Sequence, residues 1–425
     1  YDPFVMTDTT TLGIEFPSVL LPAQGIDYQK WAVIACDQYT SEPDYWRQVE
    51  EIVGDAPSTL RLILPEVYLG SPDMDARLSQ IAETTEQYLA KGILSETEPA
   101  PILVSRTTGS GRRRNGLLLS FDLEQYDFGH GAKPLIRPTE ETIVERLPPR
   151  VRIRRAAAAE FPHILVLVDD RARRIIQPLY EHRDTLEKRY ETELMLGGGL
   201  VSGYAVTNAK TQRGLLEALE ACRGEAMQRD PDAPFLYAVG DGNHSLATAK
   251  RVWEERKASG ATADDPSRFA LAELIDIYDP GLVFEPIHRL VAGRPAGELL
   301  DFIADYTEST VNRGANETAR SVRWVTSEES GTLEVPGSDL PGVLVQRALE
   351  AIPESDVWID YIHGDESLNE LIHAHLGLGI LMPPLPKSEF FSLVRTRGVL
   401  PRKMFSLGEA SEKRYYVEGR RITRS

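Results

Sequence analysis

Between Tyr237 and Lys250 the chain reads YAVGDGNHSLATAK, and this stretch gathers side chains suited to holding a phosphate-like anion. Tyr237–Val239 is apolar and β-prone, Gly240-Asp241-Gly242-Asn243 has the composition of a turn, and Leu246, Ala249 and Trp253 recur at helical spacing. The pattern predicts a strand, a tight turn and a helix. Gly240 and Gly242 let the backbone bend sharply and a ligand come close, while the unpaired amides of the helix's first turn face an anion ahead of them. Asp241, Asn243, His244 and Ser245 add a carboxylate, an amide, an imidazole and a hydroxyl at the mouth of the turn. That mixture suits phosphate or metal-phosphate handling, with Asp241 as the metal-facing group. The plain alternative is that Asp or Asn caps a helix here. No Gly-Lys-Ser/Thr follows, as in a Walker loop, and the third glycine of a dinucleotide fingerprint is missing.

Other candidates are scattered. Cys36-Asp37-Gln38-Tyr39 follows the apolar run WAVIAC, which reads as a buried strand, and ligands often sit at strand ends in α/β folds. Asp37 is the candidate there, and Cys36 reads as a small core hydrophobe. Lys250, together with the arginines around VRIRR (151–155, with Arg152 on the polar side), could neutralise a phosphate. Glu285, His288 and Arg289 in FEPIHR could join the pocket or make a strand-end salt bridge, and Lys387 after MPPLP could present an ammonium or lie in a solvated loop. Arg112–Arg114 fall at a Gly-rich tip that reads as a solvated turn. His373 and His375 are two apart in an expected helix, so their rings diverge and a zinc site is not expected. H-E-x-x-H and G-x-S-x-G are both absent.

The elements that must position these groups alternate between strand-length apolar runs and helical patterns, which argues for a mixed α/β or α+β architecture. We expect a helix near 44–53, two strands around the hairpin tip GSGRRRNG, a strand through VRIRR, a strand at HILVLVDD and a long amphipathic helix over 179–196 ended by Gly197–Gly199. Beyond Arg289 we expect helices at 296–306, 340–351 and 366–376, with strands near 321–326 and 357–363 and at GILMPP. A soft boundary near 295 separates an N-terminal α/β lobe (1–295) from a closely packed C-terminal α+β lobe (296–425).

With 425 residues, 42% of them hydrophobic, the chain can bury one large core or two ordinary ones. No run approaches the roughly 18–20 apolar residues of a membrane span. The start YDPFVMTDTT lacks a signal peptide's regions, and Tyr1 in place of Met points to a trimmed leader. Two cysteines, Cys36 and Cys222, make no disulfide framework, so a cytoplasmic location is expected. A net charge of −18 repels nucleic acid and anionic membrane.

The Gly-Asp-Gly-x-His turn resembles that of the bacterial and archaeal family called domain of unknown function 1015. Collinear stretches extend the resemblance along the whole chain: WAVIACDQYTSEPDYW, DAPSTLRLILPEVYL, ERLPPRVRIR, HILVLVDD, YEHRDTLEKRYETE, VFEPIHR and PKSEFF…LPRKMFSLGEASEKRYYVE. More distantly, Asp241, Gly242 and His244 are similar to the turn of the ParB and sulfiredoxin superfamily, whose members bind nucleotide phosphates there and include an ADP-dependent kinase of free serine. Ser245 stands where those relatives usually carry arginine. The resemblance implies a ParB/sulfiredoxin-like core, Mg²⁺ with ADP or ATP, and phosphoryl transfer to a small hydroxyl metabolite. A nucleotide-sensing or DNA-associated regulator and a phosphomonoester hydrolase are the alternatives.

Overall fold

The computed structural model describes residues 9–424 apart from 315–316, 338, 354, 375–376 and 402. The first eight residues and His375, both weighed above, therefore lie outside the described residues. The chain divides into two units, the first comprising 1–282 with 409–425 and the second 283–408. This corrects the boundary near 295: the strand Phe284–Ala292 belongs to the second unit's sheet, and the last seventeen residues return to the first unit.

The first unit is built on a mixed sheet of nine described strands: β1 (Ile14–Glu15), β2 (Ile102–Thr107), β3 (Arg113–Asp122), β4 (Ile136–Pro138), β5 (Leu165–Val168), β6 (Glu187–Leu194), β7 (Gly199–Ala205), β8 (Tyr237–Asp241) and β9 (Phe269–Asp276). Their order is β6-β7-β2-β3-β9-β5-β8-β4, with β1 on β3. Alternation along β3 shows why its apolar run is unbroken. Leu117, Leu119 and Phe121 enter one core, with Leu219, Leu246 and Trp253, while Leu118 enters the other, with Trp46, Val49 and Tyr415. The helices supplying those partners other than Tyr415 are α1 (Pro43–Val53), α4 (Ala209–Arg229) and α5 (Asn243–Ala258); α2 (Met74–Ala90) and α3 (Leu147–Ala156) complete the set used below.

Two expectations about this unit fail, for related reasons. VRIRR is helical, as part of α3, because Pro148 and Pro149 fill the first helical positions, where fixed φ and a missing amide suit a helix start. Leu186, Tyr190 and Leu194 lie four apart, a spacing that fits period 2 as well as period 3.6; 187–194 is strand β6, hairpinned to β7, and the helix is confined to Gln177–Glu181. WAVIAC is also shorter as a strand than expected. Trp31 ends a helical turn, and only Val33–Ile34 pairs, with Tyr415–Tyr416. The Arg112–Arg114 tip is less solvated than a turn should be, since Arg114 is buried in β3 and Arg112 is clamped by Glu412.

The C-terminal segment is a strap across early elements: Tyr415–Tyr416 pair with Val33–Ile34, Arg420–Arg421 with Ala159–Glu160, and Gly419 with Leu20. In the second unit, strands 310–313, 330–334, 321–325, 378–381, 284–292 and 358–363 form one sheet in that order, with helices 296–307, 341–350, 365–374 and 387–397. The helices at 296–307, 341–350 and 365–374 and the strands at 321–325, 358–363 and 378–381 match the sequence expectations, whereas the strands 310–313 and 330–334 and the helix 387–397 were not expected.

Where β9 ends, Asp276 is almost fully buried. Burial first, and then the neighbouring Asp170 and Asp279, push its carboxyl up to about 7 against the Tyr278 amide and Arg173. The folded state therefore keeps a proton that the unfolded chain, with an ordinary value of 3.8, releases. This term favours folding at low pH and weakens as pH rises from 3.8 to about 7, by up to about 1.4 kcal/mol per unit. Asp276→Asn should flatten the urea-unfolding free energy across that window; an unchanged slope would show that Asp276 is ionised in the fold.

Candidate functional site

Strand β8 runs straight into α5 through Gly242, whose φ of +79° is left-handed and whose missing Cβ would lie 3.0 Å from Ile164 Cγ1. Glycine is required there on both counts. No side chain caps α5, so its first amides are directed at the space before it. The cap alternative weighed above thus fails on geometry, since Asp241 and Asn243 do other work. Asn243 Oδ1 accepts the Thr139 amide at 3.3 Å, and His244 Nε2 accepts that of Ile143 at 3.3 Å. Both brace the 139–143 loop against the turn, which removes His244 Nε2 from the anion-binding role expected of it.

A different histidine occupies the mouth. His163, two residues before β5, places Nε2 3.3 Å from Ser245 Oγ and 3.7 Å from Asp37 Oδ2, with Nδ1 2.8 Å from the Tyr416 hydroxyl. The Cys36 amide donates to the Tyr416 oxygen at 3.0 Å. When the Tyr416 hydroxyl donates to His163 Nδ1, the ring's own N–H sits on Nε2, facing Ser245 and Asp37. Burial pushes the Cys36 thiol up, so it carries no thiolate, and the reading of Cys36 as a small hydrophobe stands.

Asp241 ends β8 with Oδ1 accepting the Gly242 amide at 2.8 Å and Oδ2 paired with Lys413 Nζ at 3.0 Å. Burial raises its pKa, but the Lys413 charge and hydrogen bond and that amide help hold the carboxyl below its ordinary value. Lys413 is thus the ammonium beside the turn. The strap delivers it, because pairing of Tyr415–Tyr416 with Val33–Ile34 brings 413 and 37 to the same end.

The remaining sequence candidates go elsewhere. Lys250 lies about 9 Å along the helix from His244, and its ammonium is taken by the Leu123 carbonyl (2.9 Å) and Glu254 (2.6 Å). Arg152 sits on the outer side of α3, paired with Asp75 and more than half exposed. Its neighbours Arg150 and Arg154, an i,i+4 pair, instead line a cavity of about 170 Å³ that also reaches Cys36, His163, Ser245 and Tyr416. His288, Arg289 and Lys387 belong to the second unit. There His288 holds Asp365 and the Met382 amide, Arg289 holds Gln346 and the carbonyls of Ile287 and Lys403, and Lys387 begins a helix. Among the described residues no group of three or more His, Cys, Asp or Glu could hold a metal ion, and no helix is long and apolar enough to cross a membrane.

Fold and site together define a mixed α/β protein with an uncapped helix start at the end of a buried strand. The chain belongs to the family described as Protein of unknown function (DUF1015), whose model matches residues 20–348. No curated protein matches it. Matching solved structures include a conserved hypothetical protein from Pyrococcus furiosus, at 11% identity and TM-score 0.36 over 72% of this chain and 95% of that one. Free serine kinase in complex with AMP matches at 13% identity and TM-score 0.38 over 71% and 90%. SbnI with a C-terminal truncation, from Staphylococcus aureus, matches at 11% and 0.38 over 68% and 81%.

Proposed function

We propose that the first unit binds the phosphate end of a nucleotide or phosphorylated metabolite at turn 240–245 and passes a phosphoryl group to a small hydroxyl compound. The observation that carries this reading is the convergence of an uncapped helix start, the Lys413 ammonium and the His163 Nε2–H, with the Asp37 carboxylate beside them. The first three are donors for phosphoryl oxygens; the last is an acceptor for a hydroxyl proton. In the transfer step the acceptor oxygen bonds to the terminal phosphorus as the bond from phosphorus to the bridging oxygen breaks. The electron pair leaves with the departing phosphate, and the hydroxyl proton passes to Asp37.

Lys413 stands in for the arginine that Ser245 replaces. It also occupies the place a cation on Asp241 would take, so the donor set does not fit Mg²⁺ at Asp241, and no step here runs through a metal. A ParB/sulfiredoxin-like description of the core belongs to the same proposal. Duplex DNA is not the expected partner of a chain with net charge −18.

Isothermal titration with AMP and ADP, and a transfer assay from ADP or ATP to free serine and other small alcohols, test the reading. Lys413→Met should weaken nucleotide binding by roughly 1.5–3 kcal/mol, the range for a hydrogen bond to a charged group. Asp241→Asn should tighten it, because the ammonium is released from its carboxylate. If neither nucleotide binds the wild type, or both variants bind as the wild type does, the turn does not hold the phosphate.

A further inference from the structure

Two arginines and two glutamates line the cavity of about 170 Å³ beside the turn, and they are paired with one another. Arg150 holds Glu66 and gives Nη1 to the Arg146 carbonyl at 2.8 Å. Arg154 gives Nη1 to Glu160 Oε2 at 2.7 Å, and Glu160 Oε1 accepts the Leu271 amide at 2.9 Å and Arg420 Nε at 2.8 Å. The other Arg154 nitrogens, Nε and Nη2, are buried and do not open into the cavity. A guest's own ammonium or carboxylate would therefore lose its water there without gaining a counter-charge, which is costly. Much of the remaining wall is hydrocarbon: Leu64, Leu69, Leu78, Ile81 and Ile153 belong to one apolar cluster, and all five line the cavity. Ser245 and His163 line it too, with Oγ and Nε2 3.3 Å apart, and Asp37 Oδ2 lies 3.7 Å from that nitrogen. These groups suit one hydroxyl.

We propose that this cavity is the acceptor subsite and that its occupant is a small uncharged alcohol with an apolar ring or branched chain, not a zwitterion such as free serine. The acceptor role rests on the phosphoryl transfer proposed above and adds the class of hydroxyl compound that receives the group. Size limits that class. An apolar cavity of about 150 Å³ takes a benzene-sized body, so about 170 Å³ accepts a six-membered ring or a branched chain of similar bulk. The body lies against Leu78, Ile81 and Ile153, and the hydroxyl turns toward Ser245 and His163. Its oxygen bonds to the terminal phosphorus of ADP, the electron pair of the broken bond leaves with AMP, and the hydroxyl proton passes to Asp37. The product is a phosphate monoester of the alcohol.

Two readouts on the full chain keep the subsite and the transfer apart. With isoleucine δ1 methyls labelled, benzyl alcohol should shift those of Ile81, Ile153 and Ile164, which line the cavity, in a saturable way. Serine at the same millimolar concentration should leave them unmoved, and benzoate, matched in shape but charged, should bind at least about tenfold more weakly than benzyl alcohol. In transfer from ADP, kcat/KM should rise about fourfold with each methylene from ethanol to 1-butanol, and benzyl alcohol should outrun serine. Ile153→Phe, which fills the cavity, should abolish alcohol binding and transfer with ADP still bound. Ile81→Ala, which enlarges it, should move the optimum to a longer chain, and decides the matter if the phenylalanine variant does not fold. Methyls unmoved by benzyl alcohol, or moved alike by serine or benzoate, overturn the subsite whatever the turn binds. Serine phosphorylated faster than the alcohols, or ADP binding lost in Ile153→Phe, overturns it and leaves the transfer reading standing. If benzyl alcohol moves the methyls but ADP does not bind, the transfer reading falls and the acceptor role falls with it.

Discussion

Replacing Arg414 by methionine should lower the stability of the first unit by about 3–5 kcal/mol, the cost of leaving buried partners of an ion pair uncompensated. Arg414 is 4% exposed. It donates Nε to Glu273 at 2.8 Å, Nη1 to the Pro162 carbonyl at 2.7 Å and Nη2 to Glu418 at 2.7 Å, while Tyr190 donates its hydroxyl to the other Glu418 oxygen. Glu273 lies in the middle of a central strand, and Gly116 makes room for it, since a Cβ there would lie 2.3 Å from Glu273 Oε1. Methionine keeps most of the bulk but leaves two carboxylates and a carbonyl without their donor. The strap should loosen with it, so amide exchange at Tyr415–Tyr416 should speed up along with the drop in urea stability. Arg414→Lys, which keeps the charge and loses the fork, should fall between. A methionine variant as stable as the wild type would mean that the two carboxylates do not depend on the guanidinium for their compensation.

What was legible in the sequence was local. The strand–turn–helix at 237–258 is readable because its glycines, its apolar run and its 3.6 periodicity are contiguous and agree. Three helices and three strands of the second unit are readable for the same reason, but its strands 310–313 and 330–334 and its helix 387–397 were missed. Spacing by four misleads in both directions: at 186, 190 and 194 it conceals a strand, and in VRIRR an apparent alternation conceals a helix started by two prolines. That second error also selected the wrong arginine, since a strand would group Arg152 with Arg150 and Arg154, and a helix separates it from them.

The site residues missed are those delivered over long range. Lys413 and Tyr416 reach the turn only because the strap pairs with residues 33–34, some 380 positions earlier, as the Cys36 amide to Tyr416 hydroxyl bond records. Nothing local in EKRYYVE announces that pairing. His163 did carry a signal: it is the polar residue opening the buried run HILVLVDD, and strand ends are where ligands gather. His244, two residues after Gly242, is the histidine that the local pattern picks out, and its Nε2 accepts the Ile143 amide.

Asp37 and His163 should then separate cleanly in kinetics once an acceptor is turned over. Asp37 retains partial solvent access and accepts Gln38 Nε2 at 3.1 Å on Oδ1, leaving Oδ2 toward His163. As the group taking the hydroxyl proton, it should cost about 10²–10⁴ in kcat when changed to asparagine, with nucleotide affinity unaltered. His163 donates to the phosphoryl oxygens as their charge redistributes, so His163→Gln should cost about 10²–10³ in kcat, and should weaken nucleotide binding as well because the ground state shares that contact. Asp37→Asn should therefore move kcat alone and His163→Gln both kcat and nucleotide affinity, a split that a merely structural role would not produce. If Asp37→Asn keeps its rate, the proton goes elsewhere; Asp37 then only holds the imidazole, and His163 Nε2 must work as the base in its other tautomer.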